Sequence, residues 1–298
     1  MKKVINFGSI NIDHVYQVGH LVEPGETLAA DSYHVFPGGK GLNQSIALAR
    51  AGANVTHVGK IGQDGLWLRA YLKERSVNTT LVSVSSKATG HAMIQVSQTG
   101  ENSIIIHGGA NRDLDPILNA DAFTHVSAGD FLLLQNETNA IADIINTGHS
   151  NGLTVVFNPA PMDKAVVDYP LEKVDWLIVN QTEGEMLTGK SGTGEILREL
   201  RLRFPKTKFV LTLGAKGLMY VDADHQIDLP AYHIDVVDTT GAGDTFIGFF
   251  LAALVKEKEL AAALEEASAA AAICAAHKGA ACSIPDFEEV HQFLQRGG

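Results

Sequence analysis

Four consecutive residues set the chemistry this sequence permits. Gly241-Ala242-Gly243-Asp244 lies inside the stretch Val237-Asp238-Thr239-Thr240-Gly241-Ala242-Gly243-Asp244-Thr245-Phe246 and is followed directly by an apolar helical run over 247–255. Glycines therefore stand where a helix begins. The first N–H groups of a helix have no partner within it and carry the positive end of its dipole, so this turn can wrap its amides around a phosphate. A carboxylate in the same turn would repel that anion. Asp244 gains a purpose if it removes a proton from a hydroxyl that attacks the phosphorus. The plainer reading is that it caps the helix or favours the dipole.

A second glycine cluster, Phe36-Pro37-Gly38-Gly39-Lys40-Gly41-Leu42-Asn43-Gln44, opens another helix and offers Lys40 and Asn43 to sugar-like hydroxyl groups. A third segment, Gly8-Ser9-Ile10-Asn11-Ile12-Asp13-His14, follows the first apolar run, at the strand end where open α/β sheets place ligands, and sets Asn11 and Asp13 on one face. Asn and Asp also stabilise ordinary turns. The run Gly184-Glu185-Met186-Leu187-Thr188-Gly189-Lys190-Ser191 matches the phosphate-loop pattern by letter. It lacks the required setting. Residues 182–187 read as a helix, with Thr182 and Glu185 spaced as a capping box and Gly189 as its stop, and Gly192 and Gly194 interrupt what should be the following helix. Cys274, His277 and Cys282 are three soft ligands in a helix-then-turn context, too few for a structural zinc site, so small-residue packing is the better account.

The elements that must position these residues follow a βαβα rhythm. Short aliphatic runs at 4–10, 55–61, 131–135, 154–158, 176–180 and 209–213 read as buried strands, with helices at 41–51, 66–75, 138–149, 182–187 and 195–204 between them. This is the signature of one doubly wound α/β domain: a mostly parallel sheet with helices on both faces. Two segments break the rhythm. Residues 92–97 and 103–107, joined by Thr99-Gly100-Glu101-Asn102, read as a hairpin, and 14–36 holds extended pieces around Pro24-Gly25. The two insertions are expected to pair as a small β-sheet lid, giving a main domain over 1–13, 37–89 and 108–298 and a lid over 14–36 and 90–107. The Ala-rich stretch 260–276 reads as a closely packed helix.

Composition narrows the partners. The chain has 298 residues, 45% of them hydrophobic, and a formal net charge of -11. That balance opposes nonspecific nucleic-acid binding, which needs a basic footprint. Two cysteines are too few for a disulfide framework, and the uncharged apolar runs fall short of the ~18 to 20 residues of a membrane-spanning helix. With no signal peptide evident, a soluble, cytoplasmic protein is expected.

Taken together the segments resemble the ribokinase-like (PfkB) carbohydrate kinases over nearly the whole chain. The resemblance rests on the three glycine-bearing segments above, on Ile106-His107-Gly108-Gly109-Ala110-Asn111, Gln135-Asn136-Glu137 and Asn158-Pro159-Ala160-Pro161, and on Asn180-Gln181-Thr182-Glu183 and Thr212-Leu213-Gly214-Ala215-Lys216-Gly217, all in order. It implies transfer of the ATP γ-phosphoryl group to a sugar, with O5 of D-ribose giving D-ribose 5-phosphate as the expected reaction. Deoxyribose, fructose, 2-keto-3-deoxygluconate or a nucleoside is the neighbouring alternative. A P-loop ATPase and a non-catalytic sugar-binding regulator are more distant ones. By resemblance Asp244 is the base, Gly241, Ala242 and Gly243 form the anion hole, and Asn11, Asp13, Gly39, Lys40, Asn43 and Glu137 hold the sugar. Asn180, Thr212, Gly214, Lys216, Gly217, Gly243 and Ser268 fall at ATP positions, and Glu183 at the position that binds Mg2+ through water. Asp238, Thr240, Cys274, His277, Gly279 and Ser283 fall around a monovalent cation, expected to be K+, bound mostly by backbone carbonyls. A homodimer through the lids is also implied. Two residues depart from the pattern: Ser268 stands where some members carry His near the adenine, and Leu42 replaces a smaller residue in the sugar loop.

Overall fold

The computed structural model describes residues 2–297. Its main body is a nine-stranded sheet. From one edge to the other run β13 (Gln226–Leu229), β12 (Leu218–Val221), β11 (Lys208–Thr212), β10 (Trp176–Asn180), β9 (Thr154–Asn158), β8 (Phe131–Gln135), β1 (Val4–Phe7), β4 (Val55–Ile61) and β5 (Asn78–Val84). Pairing is parallel from β11 to β5, and β12 and β13 are added antiparallel at the edge. The chain leaves β1 toward β4 and β5, then returns to lay β8 on the other side of β1. The strand order therefore reverses between β1 and β8, and the carboxyl ends of these two strands flank the crevice such sheets use for ligands.

Period-two alternation divides the strands between two cores. Val4, Leu133, Val156, Ile178 and Val210 face one side, packed with α1 (Lys40–Arg50), α7 (Ala242–Val255) and α8 (Leu260–Ala275). Ile5, Phe7, Leu132, Leu134, Phe157 and Leu211 face the other, with α4 (Ile141–Ser150), α5 (Gln181–Thr188) and α6 (Thr193–Arg203). Burial on both faces is why these strands read as near-continuous apolar runs. Helix α7 is apolar all round because it lies between α1 and α8, and the approach is close: a Cβ on Gly248 would come within 2.3 Å of the Ala47 side chain. Three further α-helices are present among the described residues, α2 (Leu66–Glu74), α3 (Pro116–Phe123) and α9 (Phe287–Gln295).

A second, four-stranded sheet has the order β3-β2-β6-β7, from β2 (Asn11–Val18), β3 (Ser32–Gly38), β6 (Gly90–Ser97) and β7 (Asn102–His107). The two segments that break the sequence rhythm pair with each other through the parallel β2–β6 contact. This sheet also takes in Asn11–Asp13 and Pro37–Gly38, beyond the insertion as read from sequence. The expected strand over 4–10 accordingly ends at Phe7, because Asn11 and Asp13 pair with Gly38 and Phe36 rather than with the main sheet. The α4 helix starts at Ile141 rather than 138, with Ala140 left-handed before it.

Candidate functional site

The first cluster of polar side chains gathers where β1 and β8 end. Asn11 and Asp13 project from the start of β2, and the amide of Asn111 fixes the first by donating from Nδ2 to its Oδ1 at 2.6 Å while accepting from the backbone of Ile10 at 2.9 Å. Glu137, just past β8, accepts from the backbone N–H of Lys40 at 3.0 Å and from the hydroxyl of Ser9. Gly38 is required here by space, since a Cβ on it would overlap the Asp13 carboxylate. Asn111 lies within the sequence motif but was not singled out. Its signal was a polar side chain in a segment whose neighbours are glycine and alanine.

Charge is concentrated in this corner. Burial, reinforced by the nearby Glu137 carboxylate, raises the pKa of Asp13 to about 7. Burial likewise raises Glu137, against the opposing pull of Lys40 and the Ser9 hydrogen bond. Lys40 is raised above the ordinary lysine value chiefly by Asp244, with Glu137 and Glu183 adding to the effect and burial opposing it. One ammonium thus lies in the field of three carboxylates.

Asp244 sits in the first turn of α7, almost fully buried, and both its oxygens are engaged: Asn43 Nδ2 donates to Oδ2 and Gln44 Nε2 to Oδ1, each at 2.9 Å. It does not cap its own helix. The N-cap is Gly241 at φ +80°, a left-handed backbone that favours glycine, and no side chain caps the helix, so the first turn presents backbone amides. Ala242 N–H turns back to the Thr239 carbonyl at 3.2 Å. Asn43 leaves its Oδ1 buried with no hydrogen-bond partner, and an orphaned buried acceptor asks for a donor from outside the chain. Gln44 is a site residue that sequence reading passed over.

A cleft of about 310 Å³ leads from Lys40, Asp244 and Gly243 along the ends of β9, β10 and β11, past Asn158, Asn180, Glu183, Thr212 and Thr240. Asn180 and Thr212 are register partners on adjacent strands. Gly214, Lys216 and Gly217 follow in the turn after β11, and Ser268 lies half-buried in α8; these four do not line the cleft. The capping box of α5 joins Asn180 and Glu183, not Thr182 and Glu185 as the spacing suggested: each side chain accepts from the other's backbone N–H, at 2.9 and 3.0 Å. The helix starts one turn position earlier because β10 ends on Asn180, which is free to take the cap conformation. Gly189 ends the helix left-handed, as expected, so the letter-match to a phosphate loop spans a helix C-terminus.

Whether these residues suit metal ions can be judged from their donors. Glu183 uses one carboxylate oxygen in the capping box and lines the cleft, and burial raises its pKa, so a cation there would relieve an unfavourable charge. A hard divalent ion fits. Around the α7 start, Asp238 accepts from Thr240 at 2.6 Å and from Gly279 N–H at 2.9 Å, while Ser283 donates toward the Gly279 carbonyl and contacts Cys274 Sγ at 3.1 Å. Burial would raise Asp238, but the Thr240 and Gly279 hydrogen bonds outweigh it and hold the carboxyl below its ordinary value. Carboxylate and carbonyl oxygens brought together this way suit a monovalent cation. His277 is exposed and turned to the Ile273 carbonyl at 2.8 Å, away from that group.

Comparison with known proteins identifies the family and the fold. The model of the pfkB family of carbohydrate kinases matches residues 1–286. The chain is 36% identical to the ribokinase of Haemophilus influenzae over 99% of both chains. Among solved structures, ribokinase from Thermotoga maritima aligns with a TM-score of 0.90 at 34% identity, covering 99% of this chain and 100% of that one. Arabidopsis thaliana ribokinase complexed with ribose and ATP aligns with a TM-score of 0.89 at 29% identity, covering 99% of both chains. Among the described residues no helix is long and apolar enough to cross a membrane.

Proposed function

The chain belongs to the pfkB family of carbohydrate kinases, and we propose that it transfers the γ-phosphoryl group of ATP to O5 of D-ribose, giving D-ribose 5-phosphate. The observation that carries this reading is the Asp244 carboxylate, placed among the uncapped amides of α7 and aimed by Asn43 and Gln44 at the corner that holds Asn11, Asp13, Lys40 and Glu137. The sugar lies in that corner, with hydroxyl groups donating to the carboxylates of Asp13 and Glu137 and to the orphaned Oδ1 of Asn43. Gly39 brings its backbone alongside. ATP occupies the cleft toward Asn180 and Thr212, and its adenosine extends past Gly214, Lys216 and Gly217 toward Ser268.

Asp244 accepts the proton of the attacking hydroxyl. Backbone amides of Gly241 and Gly243, joined by that of Ala242 once its N–H leaves the Thr239 carbonyl, receive the charge that develops on the transferring phosphoryl oxygens, and Lys40 neutralises charge between donor and acceptor. Glu183 would hold magnesium through water, which would supply positive charge to the phosphates, and oxygens of Asp238, Thr240, Gly279 and Ser283 would hold K+, whose charge would steady the turn that forms the anion hole. Little covalent work falls to the protein. Positioning and preorganised charge account for most of the acceleration in phosphoryl transfer.

The four-stranded sheet acts as a lid, since its β2 carries Asn11 and Asp13 into the sugar corner. Its residues Tyr33, Val35, Phe36, Met93, Ile104 and Ile105 are exposed, the last at 64%, which supports pairing of two lids in a homodimer. ADP release over a panel of ribose, deoxyribose, fructose, 2-keto-3-deoxygluconate and nucleosides, with ATP and magnesium and with or without potassium, tests the assignment. Ribose should turn over fastest. Activity on another sugar with none on ribose would move the enzyme to a different member of its family.

A further inference from the structure

Beneath the sugar corner runs a chain of buried side chains that touches neither the proposed sugar nor the nucleotide. Gln44 Nε2 donates to Asp244 Oδ1 at 2.9 Å. Gln44 Oε1 accepts from Gln135 Nε2 at 2.7 Å, and the same nitrogen donates to Asn6 Oδ1 at 2.9 Å. Asn6 Nδ2 donates to Ser45 Oγ at 2.8 Å and to the Gly41 carbonyl at 2.9 Å. Ser45 Oγ lies 2.8 Å from His57 Nδ1, and His57 Nε2 lies 3.1 Å from the Gly8 carbonyl. Asn6, Gln44, Ser45, His57 and Gln135 are all at most 1% exposed.

The polarity of this chain is fixed at both ends. A carboxylate and a backbone carbonyl only accept, so Gln44 must present its nitrogen to Asp244 and His57 its N–H to Gly8. Gln44 then turns its oxygen to Gln135, and Asn6, giving its nitrogen to the Gly41 carbonyl, does the same. Both face one amide nitrogen. Turning the Gln135 amide over would set its oxygen against two acceptors, so one orientation remains, with Gln135 Oε1 buried and unpartnered. A buried orphan acceptor is a cost that the fold keeps in order to hold two acceptor oxygens, Gln44 Oε1 and Asn6 Oδ1, in place. His57 stays neutral throughout, because burial lowers its pKa to about 4.

We infer that Gln44 is a positioning residue for Asp244 and that Gln135 acts through Gln44, fixing the direction in which the carboxylate faces the sugar hydroxyl. This rests on the reading of Asp244 as the base. Misplacement of a reacting group by about 1 Å can cost as much as ~10²-fold in rate, so turnover is sensitive to such an anchor. Met in place of either glutamine keeps length and packing while removing the hydrogen bonds.

The test is a double-mutant cycle on kcat and KM with ATP, magnesium and D-ribose. Gln135→Met should lower kcat about tenfold and Gln44→Met about thirtyfold, with sugar and ATP KM within about twofold, and the double variant should be no slower than Gln44→Met alone. A merely structural role would lower the melting temperature and leave kcat in place. Wild-type kcat in Gln135→Met, multiplicative effects, or a loss confined to sugar KM would overturn the inference. If Gln135→Met does not fold, Ser45→Ala serves instead: a kcat loss of about threefold that vanishes in the Gln44→Met background supports it, and its absence counts against it. Asp244→Asn measured alongside separates the two readings. Loss there with wild-type turnover in Gln135→Met removes this inference and leaves the base, whereas wild-type turnover in Asp244→Asn removes both.

Discussion

The proposed sugar corner and the proposed nucleotide region are built on different principles. In the proposed sugar corner the polar groups are buried side chains: Asn11, Asn43, Glu137 and Asp244 are each at most 8% exposed, and each is held by a partner from a distant part of the chain. In the proposed nucleotide region the residues are strand termini and a turn, Asn180, Thr212 and Gly214 to Gly217, largely open to solvent and joined mainly by backbone contacts. Buried, charge-bearing groups discriminate strongly, because a wrong ligand leaves them unpaired, whereas an open backbone-lined surface tolerates substitution. The cost of that discrimination shows in the raised pKa values of Asp13 and Glu137.

After the loss of Asp244 itself, the largest effect expected from breaking this asymmetry belongs to Lys40, whose charge is coupled to Asp244, Glu137 and Glu183. Lys40→Met should lower kcat/KM by about 10²–10³, comparable to losing one preorganised donor at an oxyanion site. Steady-state kinetics that change less than fivefold would remove Lys40 from the centre of the account. Next, Asp13→Asn should raise sugar KM about tenfold to a hundredfold while ATP KM stays within twofold. Because burial holds Asp13 protonated up to about pH 7, wild-type sugar KM should climb as pH falls below 7, and that climb should be missing from Asp13→Asn.

The same residue sharpens the comparison through stability. An unfolded Asp loses its proton near its ordinary value of 3.8, the folded one only near 7, so between those values folding takes up a proton. Stability contributed by this group falls as pH rises across that window and levels off above it. Asp13→Asn should therefore melt higher than wild type at pH 8, by about 5 °C, with the gap closing toward pH 4. An unchanged or lower melting temperature at pH 8 would contradict the burial cost. At the open end the effects should be small: Lys216→Ala is expected to raise ATP KM by no more than about threefold, the scale of an exposed charge. Lys190→Ala, just past the C-terminus of α5, should change nothing, and loss of nucleotide turnover there would revive the phosphate-loop reading.

The same contrast explains what could be read from the residues alone. Strands buried on both faces, such as β8, β9 and β10, announce themselves as apolar runs bounded by polar residues, and the glycine-to-helix junctions at Gly39 and Gly241 mark ligand-facing turns. The edge strands β5 and β13 were not legible, because an edge is half exposed and mixes polar with apolar residues, and β12 between β13 and β11 is a buried apolar run of only four residues, too short to stand out. The contacts beneath the sugar corner were also hidden: Gln44 and Asn6 look like ordinary polar residues until the fold brings 6, 44, 57, 135 and 244 together. A trace was present in Asn6, Gln135 and Asn158, single amides within or at the end of apolar strands, where a polar group must find a partner.

The central claim is that Asp244, held by Asn43 and Gln44 at the start of α7, takes the proton from the sugar hydroxyl. It is tested most directly by measuring label transfer from γ-labelled ATP to D-ribose with wild-type protein and Asp244→Asn, together with calorimetric ribose binding. The account predicts that Asp244→Asn loses about 10²–10⁴ in turnover while ribose binding survives within a few-fold. Label transfer at the wild-type rate by Asp244→Asn would contradict it.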